Sequence, residues 1–147
     1  MRSAKSLLGM PVIREGEKLG RVALILPDEE LRTLSGLYIS CGMAGSRFIE
    51  GSLLDMIGEV AVLSRDAGKR AQPGVRPLLR RALSPDGRRI GAVTDAFIDE
   101  ETLRIEALEF SRGYLDDLTG GRMRIRQFSV QKNGDVIIED AEGGNVS

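Results

Sequence analysis

The chain has 147 residues, of which 41% are hydrophobic and 4% aromatic, and 21 Lys+Arg against 22 Asp+Glu leave a net charge of −1. That length suits one average domain or two small ones, and modules of ~70 residues bury only about 60% of their unfolded surface, so each needs a neighbour to pack against. The near-neutral charge argues against a dedicated nucleic-acid binder and against DNA as a partner; the longest apolar run, Val22–Leu26, is too short for a transmembrane segment.

The N-terminal stretch MRSAKSLLGMPVIREG starts basic but lacks the apolar length of a signal peptide. A polar turn around Gly16 leads into a strand that Gly20 opens, positions where glycine permits positive φ or close backbone approach. Val22–Leu26 reads as that strand, Asp28–Glu30 as an acidic turn, and Thr33–Ile39 as the return strand of a hairpin. A short strand near Phe48–Ile49, room for one helical turn over Ser52–Gly58, and a strand over Val60–Leu63 complete a first module, residues 1–64. Residues 65–76 are polar, basic, Pro/Gly-containing and read as a strand-free linker. In residues 77–140 the same order returns. The Gly87 turn and Gly91 precede a strand, Val93–Phe97, with Val93, Asp95 and Phe97 on one face. The acidic turn Asp99–Glu101, the return strand Leu103–Phe110, and strands at Met123–Ile125 and Val136–Glu139 follow. Residues 141–147 read as a flexible acidic tail.

The two halves are copies. At an offset of 71 positions, Ser6–Gly42 lies over Pro77–Gly113 without a gap, with identities that include Gly16/Gly87, Gly20/Gly91, Val22/Val93, Asp28/Asp99, Leu37/Leu108 and Ser40/Ser111. Beyond it the offset becomes 76, matching Gly45/Gly121, Ile49/Ile125, Gly58/Gly134 and Val60/Val136, which places an insertion within Tyr114–Gly121. Both return strands space their apolar residues by three and then two (Leu34, Leu37, Ile39 and Ile105, Leu108, Phe110). That shared slip predicts a β-bulge at Ser35–Gly36 and at Glu106–Ala107. Bulged short strands between glycine turns describe a mainly all-β protein of two small tandem barrels with short helical turns.

The repeated pattern, paired leucines, then G-x-x-[LI]-G-x-V, an acidic turn, an apolar strand and a terminal strand, resembles the PRC-barrel family over nearly the whole chain, twice. The resemblance implies a small barrel or β-roll in each module and a role in binding other macromolecules. Its members include a domain of a photosynthetic reaction-centre subunit and one of a ribosome maturation factor. It carries over no catalytic residue.

The residues agree. The chain has no histidine and one cysteine, which removes the commonest general base and any Cys-rich zinc site. Cys41, without a histidine to activate it, reads as a packed thiol rather than a nucleophile. The single cysteine also excludes an internal disulfide framework and fits a reducing, cytoplasmic setting. The recurring carboxylates Asp28–Glu30 and Asp99–Glu101 read as solvated turns; their spacing is not that of a calcium loop. Nothing calls for a cofactor or a metal.

Residues 65–89 carry eight basic residues against Asp66 and Asp86, so this stretch is +6 and the remainder −7. Candidate partner-binding residues are Arg70, Arg76, Arg80, Arg81, Arg88 and Arg89, with Tyr114, Asp116 and Asp117 of the inserted loop. The expectation is a non-catalytic adaptor, not an enzyme, that binds a protein partner and forms a homodimer. The alternative is a ribosome- or RNA-associated factor that uses the basic linker.

Overall fold

The computed structural model describes residues 1–74, 78–112 and 122–139. Among them are fourteen strands and three 3-10 turns, in two curled sheets of repeated topology. The first contains β2 (Pro11–Arg14), β3 (Glu17–Pro27), β4 (Leu34–Ser40), β5 (Ser46–Glu50), β6 (Leu54–Ile57), β7 (Val62–Ser64) and β8 (Lys69–Arg70), in the spatial order β6-β7-β2-β3-β4-β5-β8. The second contains β9 (Arg81–Leu83), β10 (Arg89–Ile98), β11 (Ile105–Ser111), β12 (Arg122–Ile125), β13 (Phe128–Val130) and β14 (Val136–Ile138), in the order β12-β11-β10-β9-β14-β13. Neighbours pair antiparallel except β2 with β7 and β9 with β14, the same parallel pair in each copy.

The predicted bulges are present. Opposite Leu26–Pro27 the residue Ser35 is skipped, and opposite Phe97–Ile98 the residue Glu106 is skipped. Two further irregularities repeat as well, at Leu19/Ile90 and Ala23/Thr94. The Thr94 bulge shifts the alternation expected of Val93–Phe97, so that Ala96 and Ile98 join Val93 in the core, while Asp95 and Phe97 are buried where the N-terminal segment lies against them. Gly20 and Gly91 lie so close to the next strand that a Cβ on either would collide with the carbonyl oxygen of Ser40 or Ser111, respectively, which is why glycine opens both strands.

Two parts of the expected register shift. The β2–β3 hairpin turns through two residues, Glu15 (φ 51°) and Gly16 (φ 81°), the left-handed pair that a two-residue hairpin favours. The β9–β10 hairpin uses three residues, Pro85–Gly87, closed by the Ser84 N–H donating to the Arg88 carbonyl at 2.8 Å. Met10 therefore answers to Arg80 and Val12 to Ala82, an offset of 70 rather than 71; the carbonyls of Met10 and Arg80 accept from the equivalent amides of Val22 (2.9 Å) and Val93 (2.8 Å). The closing hairpins differ in the same way, Glu59–Val60 against Lys132–Gly134. Val136 is thus the partner of buried Val62, at an offset of 74, and not of Val60, which sits on a turn and is 80% exposed. The strand expected over Val60–Leu63 accordingly spans Val62–Ser64. The stretch 65–76, expected to be strand-free, contains β8, which pairs Lys69 and Arg70 with Phe48 and Arg47.

Equivalent positions fill the core: Val22/Val93, Leu37/Leu108, Ile39/Phe110, Ile49/Ile125 and Val62/Val136 are all buried in a single apolar cluster. The modules meet across a pseudo-two-fold axis. Thr33 bridges Arg104, its own repeat mate, the Leu34 N–H donates to the Leu103 carbonyl (2.8 Å), and the Ile105 N–H donates to the Arg32 carbonyl (2.8 Å). Exchanging each residue for its copy turns one of these bonds into the other. The chain start breaks that symmetry. Strand β1 (Arg2–Ser3) pairs with Ile98 and Phe97 of the second module, and a 3-10 turn at Ala4–Leu7 buries Ala4 and Leu7. Buried Asp95 accepts from the Ser3 hydroxyl, from the Lys5 N–H at 3.1 Å and from the Ala96 N–H at 2.8 Å, which satisfies a carboxylate that burial would otherwise penalise.

Candidate interaction surface

Several arginines of the basic stretch are engaged by the fold itself. Arg81 lies along both carboxylate oxygens of Asp135, at 3.0 and 2.7 Å, and the pair is joined by the Asn133 side-chain amide at 3.0 Å. This bidentate guanidinium holds the Asp135 carboxyl below the usual carboxylate range, with Asn133 reinforcing it. Arg80 donates to the Glu29 carbonyl (3.1 Å) and reaches the Gly134 carbonyl (3.5 Å); burial draws its pKa down while Asp28 and Glu29 oppose the shift. Arg88 pairs with Asp86 at 3.5 Å, and Asp86 sits below its ordinary pKa chiefly because the Ser84 hydroxyl bonds to it. Arg70 and Arg89 are exposed. Arg76, Tyr114, Asp116 and Asp117, with the insertion expected within Tyr114–Gly121, lie outside the described residues.

The acidic turns are held by their first residue. Asp28 accepts from the amides of Arg32 (2.7 Å) and Thr33 (3.2 Å), and Asp99 from those of Glu101 (2.8 Å) and Thr102 (3.0 Å). Those two backbone donors, Thr102 first, lower the Asp99 pKa. Cys41 is half-buried at the end of β4, near Lys18 and Arg21 in a shallow depression.

The surface feature missed in the sequence lies on the β6–β7 hairpin. Met56 and Leu63 are cross-strand partners, 56% and 38% exposed, and Val60 stands at the turn between their strands. The equivalent pair in the second module is Ser129 and Ile137, both half-buried, above a polar turn of Lys132, Asn133 and Gly134. The signal was available: Met56–Ile57 and Val62–Leu63 are consecutive apolar residues on short strands, and successive strand residues face opposite ways, so one of each pair must face out.

The module junction is also unequal. On one side Arg32 of the first module stacks its guanidinium 4.5 Å from the Phe128 ring centroid and donates to the Phe128 carbonyl at 2.8 Å. The pseudo-symmetric positions are Leu103 and Leu54. One backbone bond is shared, the Arg65 N–H donating to the Leu53 carbonyl at 3.0 Å as the Glu139 N–H donates to that of Gln127 at 3.1 Å, but β6 bulges between Leu54 and Met56 where β13 does not, and Leu103 (φ 62°) is left-handed where Arg32 is not. Leucine at 103 cannot donate, and an open groove of about 650 Å³ remains, lined by Gly51, Leu54, Met56 and Ile57 of one module and by Glu101 and Leu103 of the other, among other residues. Among the described residues no helix is long and apolar enough to cross a membrane. The chain matches no protein-family model and no curated protein.

Proposed function

We propose that this chain is a non-catalytic adaptor of the PRC-barrel kind, two β-modules locked about a pseudo-two-fold axis that offer unequal surfaces to a protein partner. The observation that carries the reading is the exposed apolar strip Met56–Val60–Leu63, present on one module only. A clustered apolar surface on a folded chain marks a contact with another macromolecule, and a centre of this composition within a charged surround is the usual build of a protein interface. The basic stretch supports the ribosome- or RNA-associated alternative less well, because Arg80, Arg81 and Arg88 are engaged by carbonyls and carboxylates of the fold itself.

The test is affinity purification of the tagged full chain from its native cells, with and without nuclease, beside a Met56→Lys, Leu63→Lys chain. The expected result is a discrete protein that survives nuclease and disappears with the double substitution. Ribosomal proteins that vanish with nuclease would replace the adaptor by the RNA-associated reading.

A further inference from the structure

We propose that two copies of this chain pair about a two-fold axis through the outer face of β3, β4 and β5 in the first module. This surface is additional to the Met56–Val60–Leu63 strip and independent of the adaptor reading. Partner residues in an antiparallel ladder point to the same side of a sheet, so the register defines the face. One row across the strands is Leu24, Tyr38, Phe48 and Lys69; the next is Leu26, Gly36 and Glu50. Leu24, Leu26, Tyr38 and Phe48 are all partly exposed and stand outside the apolar core cluster, to which the alternate residues Leu37, Ile39 and Ile49 belong. The Tyr38 and Phe48 ring centroids are 5.0 Å apart, and the Phe48 ring fills the space that a Cβ on Gly36 would take.

In the second module the same face is satisfied from within the chain. The matching row is Asp95, Glu109 and Arg124, at the same register and after the same bulge. All three charges are engaged: Asp95 by Ser3 and Lys5 of the N-terminal segment, Glu109 by Arg122 at 3.4 Å, and Arg124 over the Phe97 ring at 3.8 Å. Strand β1 pairs beside them with Phe97 and Ile98. Among the described residues nothing but β4 pairs with the equivalent Leu26 and Pro27. Where the second module has three engaged charges, the first has Leu24, Tyr38 and Phe48, and the Tyr38 hydroxyl has no hydrogen-bond partner among the described residues. Aromatic and aliphatic surface with a polar tip is the build of an interface centre.

The flanking charges select a second copy as the occupant. Lys69 and Glu50 stand at the same end of the two rows, both exposed and neither in an ion pair among the described residues. Arg21, one row further out, is held by the Gly9 carbonyl at 2.9 Å. A two-fold axis running across the strands, between the two rows, exchanges one row with the other. It lays Leu24 on Leu26 of the second copy, Tyr38 against its Gly36 and the ring that covers it, and Lys69 beside its Glu50. Each contact is made twice. A face with one sign of charge would repel itself, whereas this one is complementary to itself. Four strands at ~4.8 Å spacing and two rows make a footprint on the order of 300 Å². That is below the ~800 Å² per partner of a stable complex, so the dimer is reversible.

The experiment is sedimentation equilibrium of the full chain. The average mass is expected to rise from one chain towards two between ~1 µM and ~1 mM. Tyr38→Lys should hold it at one chain with an unchanged circular dichroism spectrum. Lys69→Glu and Glu50→Lys, both at exposed positions, should each weaken association about ten-fold by setting like charges together twice. An equimolar mixture of these two variants should recover the original strength, because each then meets the opposite charge. These charge variants carry the test even where Tyr38→Lys disturbs folding. A single-chain mass at ~1 mM, or a mixture no stronger than its two components, would overturn the proposal. So would association that Met56→Lys abolishes and Tyr38→Lys preserves, which would move the contact to the apolar strip. The measurement contains this chain alone, so its outcome is separate from whether a partner is captured in cells.

Discussion

The two modules share strand order, parallel closure and three bulges, yet they differ in the side chains at their junction, in their ion pairs and in their exposed apolar residues. Arg32 covers Phe128 on one side of the junction, while Leu103 leaves Leu54 and a groove open on the other. Asp135 holds Arg81 in the second module, where the first has Ala61 and Pro11 at the matching positions. Met56 and Leu63 stand exposed where Ser129 and Ile137 are half-buried. Duplication preserved what makes a barrel, which is backbone pairing and core volume. The surface was free to diverge, because a polar-to-apolar change there costs little stability.

The largest expected effect tests whether the modules are one folding unit. Phe110 and Ile39 are equivalent, fully buried, and part of a single apolar cluster. Phe110→Ala should cost about 3–5 kcal/mol and Ile39→Ala about 2–5 kcal/mol, and urea unfolding followed by circular dichroism should show each moving one common transition. Two transitions, with each substitution moving only its own, would dissolve the comparison into independent domains. A smaller effect sharpens the junction: Arg32→Ala loses a guanidinium–ring contact and a hydrogen bond, together about 1 kcal/mol, and the urea midpoint should fall accordingly without a change in slope. An unchanged midpoint would mean that Arg32 only decorates the niche.

The smallest effect is confined to acid. The Asp135 carboxyl titrates below its unfolded value, so its contribution is fully present above about pH 4, the ordinary aspartate range, and is lost as the pH falls through the lowered folded value. Asp135→Asn should therefore bring the urea midpoints at neutral and acidic pH closer together. Asp99 and Asp86 are lowered as well, so some acid sensitivity should persist. A substitution that leaves the acid dependence unaltered would show that the Arg81 contact stabilises nothing.

Much of this architecture was readable in the chain. The bulges at Ser35 and Glu106 were legible because a burial face switches phase when a residue is inserted, and the apolar spacing records that switch directly. The glycines at 20 and 91 were legible because no other residue tolerates the approach of the neighbouring carbonyl. The exact match of the two copies at their ends was not. Hairpins of two and three residues are interchangeable in sequence pattern, and each substitution of one for the other slides the alignment by a residue, so that Val60 looked like the mate of Val136. That the fold engages Arg80 and Arg81 was not legible because the groups that receive them (Asp135, Glu29 and Gly134) are distant in the chain. The strand β8 was hidden because two basic residues carry no apolar signal and are extended only by pairing with β5.

The sequence by itself determined an all-β chain of two related modules, their bulges and their turns, since these follow from local periodicity and from backbone conformations that few residues adopt. Only the tertiary structure decided how the copies face each other, what Arg32 covers, where a groove stays open, and where β1 docks. Those depend on side chains and backbone groups that are far apart in the chain and become neighbours only when both sheets have closed on a shared core.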